Sequence, residues 1–466
     1  MANLATPYLF DKRFMASYGL AWPRMANLAT PYLFDKRFLA SHGLAWPRMA
    51  NLATPYLFDM RFLASHGLAR PRMARNWSAS LAEVRRPKQN SQQHNFVQAY
   101  ILESPMKRDA HLITVPARAI DVGYANTKFT CGHKVARGVP IIHTDLFPSI
   151  TATLRAGAPF RHAPGTLGAD GGISEIDGVQ HFAGRGVEMH LKGLQPRHVM
   201  KDYCTSPAYL ALMRGAMHYM LVDEGNPKEM TIEHLTVGLP LNTFDEYEDH
   251  LRELAIGRHS VISRDPAVGE RHVTVLDASV IVQPLGALYY YGLTHKDFEM
   301  SGWNLVVDVG GGTIDFLAAY DKVPNYERSG AHPESMLACA YEVAKAIDPE
   351  LKNQYGVIQA IDLAIRDNRE TVRIGGEDYE MARYKGAINE VLRRGYEAML
   401  NTVGALNDFD NILVCGGGGA VFFEFLREHA PVLRRRLKMD GGSTFSNVRG
   451  FQVVADYAAA EASANR

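Results

Sequence analysis

From about Leu112 onward, short apolar runs alternate with longer segments whose apolar residues recur at helical spacing. Residues 117–122 are an apolar run broken by Gly123, and 127–130 read as the returning arm of a hairpin. The spacing in 207–222 predicts a buried helix. Residues 232–239 predict a core strand ended by Pro240, and 244–256 a helix with an acidic face. A helix at 284–293, a buried strand at 303–309 and its hairpin partner at 314–320 follow. Next come a charged helical region over 333–404, a short buried strand at 411–415, a helix at 420–430 and a basic stretch at 431–439. Strands and helices interleaved in this way predict an α/β protein. A strand running into Asp-x-Gly opens each half, at 119–123 and again at 306–310.

The N-terminus follows a different pattern. Residues 1–24 recur at 25–48 and at 49–72; the first two copies differ only at Met15/Leu39 and Tyr18/His42, and the third adds Met60 and Arg70. Structural repeats drift while keeping their core positions, whereas these copies agree nearly everywhere. Such identity points to recent duplication of DNA, so 1–72 reads as an extension outside the working fold. The polar stretch 73–110 reads as linker, with Met73 or Met106 as the expected native start.

Composition narrows the class. No stretch approaches the ~20 apolar residues of a membrane helix, and the start lacks the features of a signal peptide. The four cysteines (Cys131, Cys204, Cys339, Cys415) are scattered without a C-x-x-C pair, arguing against a disulfide framework or a zinc site and for the cytoplasm. Net charge is zero but uneven: residues 1–110 hold 15 Lys and Arg against 6 Asp and Glu, leaving −9 for the rest. An acidic body binds phosphate backbones poorly, so any action on DNA calls for an adaptor.

Four motifs carry candidate chemistry. In the first, residues 119–128, a buried strand delivers Asp121 to a tight turn at Gly123, whose backbone N–H groups can cradle an anion that Lys128 can also reach. The second, residues 306–315, repeats that design with Asp308, then Gly310, Gly311, Gly312 and Thr313. Three glycines between buried strands cost backbone entropy, and close approach to a ligand accounts for them. The third is a strand running into Gly416, Gly417, Gly418 and Gly419 and then a helix, able to face a nucleoside and its phosphates. It is no Rossmann fingerprint, because Val421 stands where G-x-G-x-x-G needs glycine, and the chain has no P-loop. In the fourth, residues 282–290, Gln283 precedes a helix of small and aromatic residues.

In this order the four resemble the actin-type ATPase superfamily of actin, heat-shock chaperones and sugar kinases, over about 115–458. The implied fold is α/β, two ribonuclease H-like domains around a nucleotide cleft: domain I over 111–300, domain II over 301–458, and a tail at 459–466. Within the superfamily the chain looks most like the plasmid-segregation branch, the ParM/StbA proteins. Its Val-Gly-Tyr, Asn-Thr-Lys and Val-Gly-Leu-Pro segments are similar to the D proteins of the plasmid-borne PRTRC cluster. The resemblance makes the first motif a phosphate-1 loop (Asp121, Gly123, Asn126, Thr127, Lys128), the second a phosphate-2 loop, the third an adenosine motif, and Asn447 to Asp456 the closing segment.

That resemblance implies a Mg²⁺-dependent ATPase, with GTP left open. Asp121 and Asp308 would hold Mg²⁺ through water, Lys128 would offset phosphate charge, and Thr313 would donate a hydrogen bond. Gln283 would orient the attacking water, and with Asp308 it is the candidate catalytic residue. The implied partners are further copies of the chain in a head-to-tail filament, serving plasmid segregation through a DNA-binding adaptor. No base-contacting residue can be assigned within 333–404. A small-molecule kinase of the same superfamily, with Asp202 or Asp245 as candidate carboxylates, and a non-hydrolysing nucleotide-binding scaffold are the alternatives. A chaperone fits poorly, since no substrate domain follows the last motif.

Overall fold

The structure, a computed structural model, describes residues 112–136, 139–154, 170–191, 201–295, 298 and 300–465. The repeats of 1–72 and the linker of 73–110 lie outside the described residues. One compact unit, Asp109–His133 with Ile142–Asp456, holds both glycine hairpins; the described part of a smaller unit comprises 134–136, 139–141 and 457–465.

The first sheet opens with β1 (Leu112–Val122), β2 (Asn126–Ala136), β3 (Val139–Pro148), β4 (Thr151–Leu154), β5 (Gly172–Ile176) and β6 (Val179–Ala183). Helix α1 (Pro207–Asp223) follows, with Ser206 capping its start by accepting a hydrogen bond from the Tyr209 N–H and Pro207 in its first turn. It is apolar around most of its circumference and is accordingly buried on most sides. It ends where Gly225 (φ +83°) and Asn226 (φ +61°) turn the chain left-handed. Strand β7 (Glu229–Leu239), helix α2 (Phe244–Ala255), strands β8 (Gly257–Ser263) and β9 (Glu270–Val282) and helix α3 (Gln283–Thr294) complete this half.

The second half runs β10 (Trp303–Val309), β11 (Ile314–Tyr320), β12 (Val323–His332), α4 (Met336–Ile347), α5 (Tyr355–Arg366), β13 (Thr371–Ile374), β14 (Glu377–Glu380), α6 (Lys385–Val403), β15 (Asn411–Cys415), α7 (Gly419–His429), β16 (Leu437–Met439) and α8 (Ser446–Ala464).

The nine-stranded sheet has order β3-β2-β1-β7-β9-β8-β5-β6-β4, and the five-stranded one β12-β11-β10-β15-β16. In each, an antiparallel three-strand meander is extended by two parallel strands. The two halves are therefore one topology used twice, β3-β2-β1-β7-β9 answering β12-β11-β10-β15-β16. Parallel strands need crossover helices, which α1, α2, the α4–α6 set and α7 supply. The second half buries its apolar faces in one large cluster containing Leu305, Val307, Ile314, Phe316, Val343, Val391 and Phe422.

The structure adds elements that periodicity did not disclose. The short strands β4 to β6 and the strands β8 and β9 are absent from the sequence reading, and β13–β14 is a hairpin inside a region read as helical. The basic stretch 431–439 contains edge strand β16. Four- and five-residue strands carry too few alternations for a period to register.

Helices α3 and α8 meet backbone to backbone. A Cβ on Gly450 would sit 1.8 Å from the Gly286 carbonyl oxygen, and one on Gly286 2.6 Å from that of Asn447. Phe451 fills the space over Gly238, where a Cβ would come within 2.2 Å of its ring. This crossing holds the start of α3, and with it Gln283, against the end of β7.

Candidate functional site

The first hairpin is β1, the turn 123–125 and β2. Asp121, one residue before the end of β1, is fully buried, and the register sets Lys128 directly across from it. Lys128 Nζ lies 2.7 Å from Asp121 Oδ2. From the start of α3, 162 residues away in sequence, Gln283 Nε2 donates to Asp121 Oδ1 at 2.7 Å. The turn is closed by the Gly123 N–H bonding the Asn126 carbonyl at 3.2 Å. Tyr124 at its tip stacks on Tyr203, ring centroids 5.2 Å apart.

The second hairpin is β10, the turn 310–313 and β11. Asp308 takes the place of Asp121, and the residue across the register is Asp315. Asn447 Nδ2, from the start of α8, donates to Asp308 Oδ2 at 2.6 Å. Asp315 accepts from Thr313 Oγ1 at 2.7 Å and from the Leu241 N–H at 3.0 Å. The glycine turn is held by the Gly310 N–H to the Thr313 carbonyl at 2.9 Å. Its carbonyls also accept from the start of α4, the Leu337 N–H bonding Gly311 O at 3.0 Å.

The two turns touch. A Cβ on Gly311 would fall 2.4 Å from the Ala125 Cβ, so only glycine lets the hairpins approach this closely. Between them lies a cleft of about 740 Å³, part of it open to solvent, lined by Asp121, Gly123, Asn126, Lys128, Gln283, Asp308, Gly310, Gly311, Gly312, Thr313, Asp315, Gly417 and Asn447. Tyr124, Lys201, Tyr203 and Thr444 also contribute to its wall.

Charge in the cleft is strained by burial. Burial pushes the Asp308 carboxyl up, only partly offset by Lys128 and the Asn447 hydrogen bond. Asp315 is pushed up to about 7, first by burial and then by the neighbouring Asp308. Burial alone would lower Lys128, but Asp121 and Asp308 outweigh it, and its pKa is raised. One fixed cation thus serves two buried carboxylates.

These residues fit a polyphosphate carried by a divalent cation. The glycines Gly310, Gly311 and Gly312 bring bare backbone to the cleft wall. Two carboxylates whose mutual repulsion a cation would relieve, Asp121 and Asp308, sit beside it. In the described arrangement Asp121 spends both oxygens on Lys128 and Gln283, so metal binding through water requires those contacts to be shared.

Most of the candidate residues converge here, but not all. Thr127 is fully buried away from the cleft, its hydroxyl 2.8 Å from that of Ser149. Of the third motif only Gly417 lines the cleft. Gly416 (φ +86°) is a turn, where a Cβ would strike Asp308 Oδ1 at 2.3 Å; Gly418 packs under Met336, and Gly419 begins α7. The proposed kinase carboxylates Asp202 and Asp245 are exposed and do not line it. Asp315 and Asn447 enter the site beyond the named candidates. Asp315 was readable as the last residue of the second motif, seven positions after Asp308 as Lys128 is after Asp121. Arg366, ending α5, stands beside the glycine run: a Cβ on Gly417 would lie 3.9 Å from its Nη1. Nothing in the local sequence marks it.

Comparison with known proteins agrees with this fold. Residues 119–286 match the N-terminal domain of actin like proteins. Residues 306–428 match the C-terminal domain of the archaeal actin homologue, MreB-like. No curated protein matches the sequence. The actin-like protein Alp7A superposes with TM-score 0.57 at 17% identity, covering 76% of this chain and 98% of its own. The archaeal actin homolog Ta0583 in complex with ADP gives 0.53 at 19%, covering 73% and 99%. A 15-stranded ParM filament from Clostridium botulinum gives 0.54 at 17%, covering 73% and 98%. Identities this low speak for the fold, and the two family matches fall on the two halves that carry the paired hairpins. The chain has the actin-like fold, and each of its two halves matches a domain of actin-like proteins.

Proposed function

We propose that the chain binds Mg-ATP between its two glycine hairpins, hydrolyses it, and polymerises into a ParM/StbA-like filament for plasmid or DNA segregation. The observation that carries this is the contact of Gly311 with Ala125 above a floor of Asp121, Lys128, Gln283 and Asp308. A γ-phosphate held there would touch both turns, so its loss would remove the bridge between them. Phosphoryl transfer needs positioning and charge neutralisation more than covalent help. Lys128 and the turn N–H groups would hold the phosphates, while Asp121 and Asp308 would hold the metal through water. Gln283 reaches Asp121 and would exchange that contact for one to water; with no basic side chain, it suits slow turnover. The ADP-bound archaeal relative and the filament relative support nucleotide use and self-association by analogy.

The finer reading, a PRTRC-type protein acting through a DNA-binding adaptor in the cytoplasm, rests on the segments Val122–Tyr124, Asn126–Lys128 and Val237–Pro240 and on the acidic charge of 111–466. No helix among the described residues is long and apolar enough to cross a membrane. A kinase reading has one observation in its favour: Asp315, with its raised pKa, lines the cleft and could accept an acceptor's hydroxyl proton.

The test is ATPase rate per subunit across a wide protein range, with sedimentation in parallel. A filament raises the rate with concentration and gives a nucleotide-dependent pellet. A flat rate with no pellet, rising only when a small-molecule acceptor is supplied, would sink the filament reading in favour of the kinase.

A further inference from the structure

Away from the cleft, the face of the first sheet that packs on α1 changes character along its length. Residues two apart on a strand share a face. On β3 this sets Phe147, Asp145 and His143 in one row, and on β2 it sets Phe129 and Cys131 in the next. The row begins apolar: Phe129 stacks on Tyr219 of α1 at 5.5 Å, and Phe147 lies 5.4 Å from the same ring. It continues as an ion pair, Asp145 with Arg185, whose guanidinium also covers Tyr219 at 4.6 Å. It ends at Cys131, His143 and Asp223, the last residue of α1.

At that end three donors of three kinds converge. The Cys131 Sγ, an imidazole nitrogen of His143 and a carboxylate oxygen of Asp223 all lie within 4.8 Å of one another. His143 Nδ1 is inaccessible to solvent and makes no hydrogen bond. It faces Asp223 Oδ1 at 3.6 Å, too long for a hydrogen bond. Zinc–nitrogen and zinc–oxygen bonds near 2.0–2.2 Å at a tetrahedral angle put the two ligand atoms about 3.3–3.5 Å apart. The observed separation is therefore close to that of two atoms sharing one ion. The contacts to sulfur, each within 4.8 Å, need to close by at most roughly 1 Å to reach tetrahedral spacing.

We propose that Cys131, His143 and Asp223 bind a zinc-like divalent transition metal, with a fourth position left to water. A thiolate and a carboxylate balance the ion's two charges, and a thiolate–imidazole pair selects zinc or cobalt over magnesium. On binding, the Cys131 thiol proton leaves to solvent. The ion would clip the β2–β3 hairpin to the end of α1, next to the point where Arg118 pairs with Glu224 at 2.7 Å. Sequence spacing gives no hint of this, since the ligands lie at 131, 143 and 223 without any short motif.

The test uses the full chain, stripped of metal and titrated with Co²⁺ in the absence of nucleotide. One equivalent should develop the near-ultraviolet absorption of a cobalt thiolate, and Zn²⁺ should abolish it. Cys131→Ser should lose the band, and His143→Ala and Asp223→Asn should each weaken binding at least about tenfold. Cys339→Ser, in the buried core of the other half, should leave it unchanged. Circular dichroism of each variant separates loss of the site from loss of the fold, and elemental analysis of Zn-supplemented protein gives an independent count. No cobalt–thiolate band in the wild type, or one that survives in folded Cys131→Ser, would overturn the proposal.

Discussion

The two glycine hairpins share a register and differ in one residue of consequence. In both, an aspartate ends the first strand and faces the residue seven positions later. In the first hairpin that partner is Lys128, and the pair closes as a buried ion pair. In the second it is Asp315, and two carboxylates share a site that burial has already made costly for charge. Identical backbone geometry thus yields a neutralised corner on one side and a charge-strained corner on the other. The strained corner is the one a cation would relieve, so under the proposed function the second hairpin is the half expected to respond most to metal-bound nucleotide.

The sharpest way to break that asymmetry is to remove its centre. Asp308→Ala should lower ATP hydrolysis by about 10²–10³-fold, the scale of losing one preorganised electrostatic group. Wild-type turnover in that variant would end the assignment. Gln283→Ala should cost about tenfold in turnover while nucleotide affinity stays, since the phosphate clamp remains. Loss of affinity with unchanged single-turnover rates would show Gln283 to be a support for Asp121 instead.

Glycine substitution compares the two turns directly. Gly311→Ala pushes a methyl into Ala125 and should cost about 1–3 kcal/mol together with nucleotide affinity. Gly123→Ala meets nothing closer than the Asn126 carbonyl at 3.1 Å and should be milder in thermal melts and nucleotide titrations. Equal losses would mean that the contact between turns is incidental.

A smaller effect follows from Asp315. Its folded pKa of about 7 stands above the ordinary 3.8, so the folded state holds the proton more tightly than the unfolded one. Folding stability is then greatest below the unfolded value and falls as pH rises from about 4 through 7. Asp315→Asn keeps an acceptor for the Leu241 N–H and removes the charge. It should therefore flatten this dependence, gaining on the order of 1–3 kcal/mol at pH 8 over pH 5 in nucleotide-free melts. An unchanged pH profile would reassign the strain.

The smallest expected effect is none at all. Every described element begins at or after Leu112, so a chain starting at Met106 should keep its melting temperature and ATPase rate. A truncated chain that fails to fold or to sediment with nucleotide would show that the repeats belong to the working protein.

Much of this was legible beforehand. Buried strands at 303–309, 314–320 and 411–415 and the helix starting at 207 appear where apolar runs and turn residues put them, because those signals are local. Strands β4, β5 and β6 were not legible, since four or five residues supported by long-range pairing leave no period to read. The resemblance implied Thr127 as a cleft residue; strand alternation turns it inward to Ser149.

By itself the sequence determined the chemistry of each turn: an aspartate at a strand end, then glycines that only close backbone approach explains. Tertiary structure alone decided which of these groups meet. Gln283 reaches Asp121 across 162 residues, and Asn447 reaches Asp308 across 139. Those distances are closed by the pairing of β1, β7 and β9 and by the α3–α8 crossing at Gly286 and Gly450, where backbones approach beside the Phe451 ring, and no local pattern encodes either. The pKa of Asp315 is likewise a property of the packed cleft: a carboxyl has its ordinary affinity for a proton until burial and a second carboxylate change what its charge costs.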